Sequence, residues 1–397
     1  MATGFGPGIP AGFVRRSSVP YDTLASEMLR RTFLSLPAIS LAAQQRRELK
    51  ITGLETTVVI NPPRKPNYDA LQALGVHSGS VQLRLLTDAG ITGYATSYFG
   101  SVEGGPKVLR AILEEEVKPL ILGQDPAFPK KIRAALNLGL QYQGLTGVTQ
   151  FAIAATDIAV WDILGKHAGQ PVWRMLGAYR DRMPVYSMCG WYYDNDDDLS
   201  QYKAQMEAAL AHGYRAIKVK VGRYDLEDDV RRIRMALDLA GKDRKVMVDA
   251  NQVFSRNEAL RRGRVYQEMG LFWYEEALPP HDMQGFAELA RELDIRIATG
   301  ENLYTKYQFN DLIQRRGADI VQPDNRRAGG VTEWLEIAAI ADAAGLHLAS
   351  HGGGDANMNM LCAIPNAIYM ETGGPQSRMV NGEVLAPETP GMSTGPA

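Results

Sequence analysis

The sequence predicts an α/β protein whose C-terminal half is a closed parallel barrel. From residue 183 onward, eight short runs of β-forming residues alternate with amphipathic helical stretches. Several of these stretches end at a glycine, as at Gly241 and Gly345, which is the expected C-terminal cap of a helix. An open doubly wound sheet is the alternative, but no GxGxxG motif follows the first run. The runs are 185–187, 216–221, 245–249, 271–275, 295–299, 318–321, 346–350 and 367–371.

The part of the chain before the barrel is predicted to be an α+β segment. Residues 49–60 and 81–85 alternate as strands do, and a turn at 88–90 leads into a further strand. A polar loop, residues 61–80, lies between the first two strands. Helical patterns follow at 105–117, 128–143 and 148–167.

Residues 1–48 are predicted to be disordered or to hold an export signal. Arg30 and Arg31 precede Phe33-Leu34 and a mildly apolar stretch, which resembles a twin-arginine signal. The alternative is an ordinary surface helix with a chance arginine pair. A cytoplasmic and a periplasmic location therefore both stay open.

The composition is that of an ordinary globular protein and excludes several functional classes. The 397-residue chain is 45% hydrophobic and 22% charged, with a formal net charge of −2. This balance gives no electrostatic reason to expect a nucleic acid or a membrane as partner. No apolar run reaches the length of about 18 residues that spans a bilayer. Cys189 and Cys362 belong to no CxxC pair and are predicted to be reduced core thiols.

Ionisable residues stand at the ends of six successive strands of the predicted barrel. The gaps between them are 26, 26, 23, 27 and 20 residues, each close to one βα unit. The carboxyl ends of barrel strands share one rim, where enzymes of this architecture carry their active sites. The six residues are Asp249, Glu275, Glu301, Asp324, His351 and Glu371.

Asp249, Glu275 and Glu301 come from adjacent strands and would make an all-oxygen metal site. Three converging carboxylates repel one another unless a cation neutralises them. The donor set suits Mg²⁺, which keeps open positions for water and substrate oxygens. The alternative is that the three are solvated loop carboxylates. This alternative could explain any one of them alone, but it explains three in register less well.

Two candidate bases are predicted on opposite sides of this rim. Lys218 and Lys220 share one face of the second strand, and the apolar residues of that strand suit the helix side. An inward lysine near a metal and a second ammonium would have a depressed pKa and could act as a base. His351 is the other candidate, with Asp324 fixing its tautomer. A solvated edge strand and a structural histidine are the alternatives.

Two bases with a divalent cation between them predict proton abstraction from carbon. The proton next to a carboxylate is too weakly acidic for lysine or histidine alone, so the enediolate needs a cation and a proton donor. The cation and Lys218 would take charge on one side, and a protonated Glu371 would hydrogen-bond the other oxygen. A lysine or histidine base with Mg²⁺ is the arrangement of enolase-superfamily sites.

At these residues the sequence resembles the mandelate racemase subgroup of the enolase superfamily, the mandelate racemase/muconate lactonizing enzyme family. The resemblance runs from residue 49 to residue 390, and its motifs occur in order. The motifs are Lys218-Val219-Lys220, Val248-Asp249-Ala250-Asn251, Trp273-Tyr274-Glu275-Glu276, Gly300-Glu301-Asn302, Gln322-Pro323-Asp324 with Arg327-Ala328-Gly329-Gly330, Ser350-His351-Gly352, and Glu371.

The resemblance implies a modified TIM barrel of the (β/α)7β type at 181–371. An α+β capping domain would occupy 49–180, with the segment 372–397 packing back on it. A small-molecule carboxylate is the expected partner, and we expect a homo-oligomer. The resemblance implies that Asp249, Glu275 and Glu301 bind magnesium, and that Lys220 and the His351–Asp324 dyad transfer protons. It implies that Lys218 contacts the substrate carboxylate and that Glu371 contacts the enolate oxygen. Asn251 would lie just behind the metal ligands or contact the substrate.

Most members of this subgroup dehydrate acid sugars, so dehydration to a 2-keto-3-deoxy acid is the predicted function. The polar loop 61–80 favours a hydroxyl-rich substrate, with Lys65 and Tyr68 as substrate-binding candidates. A racemase or epimerase of a 2-hydroxy acid is the runner-up, and a non-catalytic sugar-acid receptor is the rival from another class. Two segments depart from the family pattern: Ala277-Leu278 stands where Pro is usual, and Gly352-Gly353-Gly354-Asp355 is a bare loop.

Overall fold

A computed structural model describes residues 49–74, 78–98 and 104–392 of the chain. The predictions of disorder and of an export signal fall on residues 1–48 and so lie outside the described residues. The N-terminal part contains β1 (Ile51–Ile60), a short hairpin of β2 (Asn67–Tyr68) and β3 (Ala73–Leu74), then β4 (Gly79–Thr87) and β5 (Thr92–Ser97). The strands β1, β4 and β5 form one antiparallel sheet in that order.

Helices cover one face of this sheet and complete the α+β cap. The longest helix packs directly on β5, where a Cβ at Gly93 would lie 2.2 Å from the Ala159 carbonyl oxygen. Only glycine permits that approach. The helices are α1 (Gly105–Ala111), which continues through a π-helical stretch (Ile112–Val117) into α2 (Lys118–Ile121), then α3 (Pro129–Gly139), α4 (Val148–Ala168) and α5 (Val172–Met175).

Helix α4 is long and apolar enough to cross a membrane by length and composition. The sequence prediction that no stretch reaches this length is therefore too strict. Most of α4 is buried within the protein, and its buried Asp157 accepts hydrogen bonds from Thr332 N and Oγ1 at 2.9 and 2.5 Å. These features are those of a core helix.

The barrel predicted from the sequence is present, with eight parallel strands in chain order. The last strand pairs with the first, which closes the barrel. The strands are β6 (Arg182–Met188), β7 (Ala216–Lys220), β8 (Lys245–Asp249), β9 (Trp273–Glu275), β10 (Arg296–Thr299), β11 (Ile320–Val321), β12 (His347–Ser350) and β13 (Ala367–Thr372).

Each of the first seven barrel strands is followed by a helix, and β13 is not. The chain instead ends in a hairpin of β14 (Met379–Val380) and β15 (Glu383–Leu385), and β15 pairs antiparallel with the start of β6. Beyond it, Met392 N donates to Asp162 Oδ1 of α4 at 2.8 Å. The helices are α6 (Ser200–Ala211), α7 (Leu226–Ala240), α8 (Arg256–Glu268), α9 (Met283–Glu292), α10 (Thr305–Gln314), α11 (Val331–Ala343) and α12 (Asp355–Ala363).

The cap is tied to the loop that follows β11. Arg133 of α3 pairs with Glu333 of α11 and donates to the Gly329 carbonyl. Gly330 has a φ of +86°, and a Cβ there would lie 2.7 Å from Asp157. Because this loop also carries Asp324, the position of the cap and the position of one candidate catalytic group are coupled.

Candidate active site

Three carboxylates meet at the carboxyl ends of β8, β9 and β10. One oxygen from each of Asp249, Glu275 and Glu301 lies within 4.8 Å of the other two. Asp249 and Glu275 are the last residues of their strands and are fully buried, and Glu301 follows the end of β10 by two positions. A buried all-oxygen donor set of this size fits a divalent cation such as the predicted Mg²⁺.

Two side-chain donors, one on β9 itself and one just past β11, hold Glu275. Trp273 Nε1 and Gln322 Nε2 each donate to Glu275 Oε2 at 2.9 Å. Trp273 precedes Glu275 by two positions on β9, so both side chains point into the barrel. Burial raises the pKa of Glu275 to about 8, although the Lys218 ammonium opposes this shift. A cation beside this carboxylate would favour its ionised form.

Lys218 and Lys220 are both buried inside the barrel, as the alternation along β7 predicts. Lys218 Nζ contacts Glu275 Oε1 and lies 3.4 Å from an oxygen of Asp249 and 3.4 Å from an oxygen of Glu371. Lys220 Nζ donates to Asp249 Oδ2 at 2.6 Å. The predicted depression of the Lys220 pKa is not found. Burial lowers this pKa, but the charge of Asp249 outweighs burial and the pKa is raised.

His351 and Asp324 form a hydrogen-bonded pair at neighbouring strand ends. His351 Nδ1 and Asp324 Oδ2 are 2.7 Å apart, and His351 Nε2 lies 3.5 Å from Glu301 Oε2. The contact with the carboxylate assigns the proton to Nδ1 and leaves Nε2 for proton transfer. Burial lowers the pKa of His351, but the carboxylates of Glu301 and Asp324 outweigh burial and raise it.

Arg326, which the sequence analysis did not single out, grips the same aspartate. Its Nε donates to Asp324 Oδ1 at 3.1 Å, and its Nη2 contacts Oδ2. Burial alone would raise the pKa of Asp324, but Arg326 outweighs burial and holds this pKa well below its usual value. Asp324 is therefore an ionised group shared by an arginine and a histidine.

Glu371 lies in β13 and is held by the backbone of the glycine loop. Gly352 N donates to Glu371 Oε2 at 2.8 Å, and a Cβ at Gly353 would lie 2.6 Å from the Glu371 carbonyl oxygen. The bare loop after His351 therefore lets its backbone approach β13 closely. Burial raises the pKa of Glu371, but Lys218 outweighs burial and lowers it. The protonated form that enediolate stabilisation predicts for Glu371 is disfavoured by this ammonium.

The rim groups and the cap together enclose a cavity of about 460 Å³. This volume is in the range of small-molecule sites. The barrel wall of the cavity is formed by Met188, Trp191, Lys220, Asn251, Glu301, Arg327, His351 and Glu371. The cap wall is formed by Asn67, Asp69, Gln72, Leu74, Tyr98 and Phe151.

Lys65 and Tyr68 do not line this cavity, contrary to the sequence prediction. Lys65 Nζ donates to Gln201 Oε1 at 3.2 Å, and Tyr68 OH donates to Asp194 Oδ2 at 2.8 Å. Neighbouring residues of an extended segment point to opposite sides. The neighbours of Tyr68, residues 67 and 69, therefore face the cavity in its place.

Asn251 lines the cavity, and its contact with substrate stays a prediction. Its backbone has a φ of +44°, and its N donates to Asp249 Oδ1 at 2.9 Å. Among the described residues its buried Oδ1 has no hydrogen-bond partner, so this oxygen is free to accept from a substrate. The next residue, Gln252, donates to Glu276 Oε2 at 3.1 Å and joins the ends of β8 and β9.

The aromatic members of the wall were not predicted from the sequence. Tyr98 follows β5, Phe151 lies in α4, and Trp191 follows β6 and places its ring 4.7 Å from Lys220 Nζ. Phe151 and Trp191 stand in segments whose apolar residues mostly form core, so their types gave no signal. The position of Trp191 just past a barrel strand was the one clue available.

Comparisons with known proteins agree with this geometry. Residues 201–396 match a family model described as enolase C-terminal domain-like, and residues 54–177 match the N-terminal domain of mandelate racemase and muconate lactonizing enzymes. The chain is 33% identical to a 3,6-anhydro-alpha-L-galactonate cycloisomerase of Streptomyces coelicolor, over 78% of this chain and 87% of that protein. It is 31% identical to an arabinonate dehydratase of Saccharolobus solfataricus, over 71% and 76%.

A solved structure shares the fold at similar identity. It is an L-talarate dehydratase from Polaromonas sp. JS666 in complex with Mg and L-glucarate. The two structures superpose with a TM-score of 0.80 at 31% identity, covering 87% of this chain and 94% of that one.

Proposed function

Because the chain belongs to the mandelate racemase/muconate lactonizing enzyme family of the enolase superfamily, we propose that it dehydrates an acid sugar to a 2-keto-3-deoxy acid. The observation that carries this proposal is the placement of two proton-transfer groups in one cavity. Lys220 and His351 both line it, beside the buried carboxylates of Asp249, Glu275 and Glu301. The relatives named as dehydratases act on acid sugars, which agrees with a polar cap wall.

The two groups approach the substrate from different sides. Lys220 stands on β7 and His351 follows β12, so the two strands β6 and β13 separate them on the short path around the barrel. A carbon between them meets one group on each face. One group removes the C2 proton, and the other protonates the departing C3 hydroxyl, which leaves as water. The resulting C2–C3 enol then takes a proton at C3 and becomes the 2-keto-3-deoxy acid.

Asp249, Glu275 and Glu301 would hold Mg²⁺, which when bound would supply positive charge that stabilises the enediolate. Lys220 Nζ donates to Asp249 Oδ2, so a cation bound by Asp249 would weaken the hold of this carboxylate on the lysine. Lys218 adds a second positive charge beside the substrate carboxylate, and its contacts with Glu275 and Glu371 keep it ionised. Trp273 and Gln322 orient Glu275.

His351 is arranged to deliver a proton. Its Nδ1 is fixed by Asp324, and the raised pKa of the ring favours the protonated form that a general acid needs. Arg326 holds Asp324 in place. The His351 ring therefore cannot rotate without losing its hydrogen bond to a fixed carboxylate.

Cycloisomerisation is the second candidate, because the Streptomyces coelicolor relative at 33% identity is named for that reaction. It would use the same abstraction and differ in what leaves C3: a ring oxygen instead of water. Racemisation or epimerisation at C2 would also use both groups. A non-catalytic receptor is disfavoured, since binding alone requires neither group.

The proposal is tested by incubating the enzyme and Mg²⁺ with a library of acid sugars and detecting 2-keto acids as semicarbazones. We expect a product from at least one member, and none from the variant Lys220→Ala tested with the same library. Turnover of an anhydro acid alone would favour the cycloisomerase. A library without any keto product, together with C2 exchange of a hydroxy acid, would reject dehydration.

A further inference from the structure

Arg327 is a cation on the cavity wall whose charge the site does not otherwise use. Its side chain is 23% exposed, and its nearest carboxylate oxygen, Asp324 Oδ2, lies 3.9 Å from Nη1. That distance is beyond hydrogen-bonding range. In the part of the chain that the structure describes, no hydrogen bond from the Arg327 guanidinium is found.

Both carboxylate oxygens of Asp324 already have partners other than the Arg327 side chain. Its Oδ1 accepts from Arg326 Nε at 3.1 Å and from the backbone N of Arg326 and Arg327 at 2.8 and 3.1 Å. Its Oδ2 contacts Arg326 Nη2 and His351 Nδ1. One guanidinium already neutralises this carboxylate, so Arg327 is left without a carboxylate within hydrogen-bonding distance of its own side chain.

Arg327 faces the cap, away from the lysines of β7. Its guanidinium carbon lies 5.6 Å from the centre of the Phe151 ring of α4, and the neighbouring Arg326 lies 4.0 Å from the ring of Tyr98. The cap wall carries one carboxylate, Asp69, among its lining residues. Asp69 Oδ1 accepts from the backbone N of Leu71 and Gln72, both at 2.7 Å, and is already engaged there.

We propose that Arg327 binds a second carboxylate at the far end of the substrate. This inference rests on the proposed function and narrows it: the substrate class is the aldarates, which carry a carboxylate at each end, as opposed to the aldonates, which end in a hydroxymethyl group. A guanidinium offers paired donors that match a carboxylate, whereas a neutral hydroxyl uses only one of them. The first carboxylate lies among Lys218 and the metal ligands, and the second lies on the cap side.

Pairs of acids that differ only at the terminal carbon test the proposal. The probes are galactarate and galactonate, glucarate and gluconate, and mannarate and mannonate, each assayed with Mg²⁺ for keto product. We expect the wild type to favour the aldarate of its preferred pair by about 10- to 100-fold in kcat/KM. Arg327→Gln should remove about that factor for the aldarate and change the aldonate rate by less than about 3-fold.

Two further variants control this measurement. Arg315→Gln removes a guanidinium from an exposed position just after α10, where it pairs with Asp311, and should leave both rates unchanged. Arg327→Lys keeps the charge without the paired donors and should recover part of the aldarate rate. Equal losses on aldarate and aldonate in Arg327→Gln would show a structural role and overturn the proposal, as would a wild type that does not distinguish the two acids.

Calorimetric binding of the same pairs, with Mg²⁺ present, separates this inference from the proposed reaction. If no acid yields a keto product, yet the wild type binds an aldarate more tightly than Arg327→Gln does, the reaction is wrong and the binding role stands. If an aldonate is dehydrated and no aldarate binds preferentially, the reaction stands and the role of Arg327 is rejected.

Discussion

The two walls of the cavity are built by different means. On the barrel wall, each functional side chain except Arg327 is at or within three residues of a strand end, and its position follows from the closed sheet. On the cap wall, the lining residues come from a loop, a strand end and a helix that meet only after the cap has docked. The barrel wall holds most of the charged groups, and the cap wall holds aromatic, amide and aliphatic groups with one carboxylate, Asp69. The residues that carry out the reaction can therefore be predicted from strand ends, whereas the residues that contact the rest of the substrate depend on tertiary packing.

The largest effect should come from removing the cation that the barrel wall is built to hold. Asp249, Glu275 and Glu301 are buried with their oxygens within 4.8 Å, and a divalent cation would add to the positive charge that Lys218 and Lys220 already supply to them. Treatment with a chelator should abolish activity, and added Mg²⁺ should restore it. Full activity in a sample shown to be free of metal would contradict the site. Glu301→Gln, which lacks one ligand charge, should need more Mg²⁺ for half-maximal activity.

Loss of either proton-transfer group should come next. His351→Asn keeps a donor toward Asp324 but cannot transfer a proton, and Lys220→Ala removes the ammonium on the other face. Each should lower kcat by about 10²- to 10⁴-fold in steady-state assays, with little change in thermal stability. If each variant instead spares deuterium exchange on one enantiomer of a hydroxy acid, the enzyme is a racemase.

An intermediate effect is expected one layer behind the metal ligands. Trp273→Phe keeps the ring but loses the donor that holds Glu275 Oε2 at 2.9 Å. Mg²⁺ or Mn²⁺ affinity, measured by calorimetry, should fall by about 10- to 100-fold, as is typical for outer-shell partners of metal ligands. Tyr274→Phe is the matched control, because Tyr274 lies on the opposite face of β9 and its hydroxyl has no partner among the described residues. Equal losses of metal affinity in the two variants would show that the hydrogen bond from Trp273 to Glu275 does not support metal binding.

The smallest effects on activity should come from residues of the cap, and they test which cap residues line the cavity. Gln72→Ala changes a lining residue and should raise KM several-fold without changing kcat, because it touches the substrate away from the reacting carbons. Lys65→Ala changes a residue bonded to Gln201 outside the cavity and should leave KM unchanged. A larger KM change in Lys65→Ala than in Gln72→Ala would show that the cap wall is assigned incorrectly.

The sequence predicted the eight barrel strands and their order, because a parallel barrel repeats one local pattern. It also placed the carboxylates, the lysines and the histidine at one rim, since strand ends alone determine that placement. The hairpin of β2 and β3 and the pairing of β15 with β6 were not predicted, because two- and three-residue strands leave no periodicity.

The contacts of Arg326 could not be predicted for a different reason. Its grip on Asp324 depends on how one loop turns after β11, and that turn is fixed by contacts of Thr332 and Glu333 with the cap. Lys65 and Tyr68 were misplaced for the same reason, because a residue's place in a polar loop does not reveal which side faces the cavity. Contacts that depend on how a loop turns leave no periodic pattern in a single sequence.

The central claim is that Lys220 and His351 act on adjacent carbons of one substrate. The most direct test of this claim is proton NMR of the enzyme with its best acid-sugar substrate in D₂O. Removal of the C2 proton followed by loss of the C3 hydroxyl gives an enol that takes its new hydrogen from solvent. The account predicts a 2-keto-3-deoxy acid with deuterium at C3 and no deuterated substrate of inverted configuration. Deuterium at C2 of an otherwise intact hydroxy acid, with its configuration scrambled and no keto product, would contradict it.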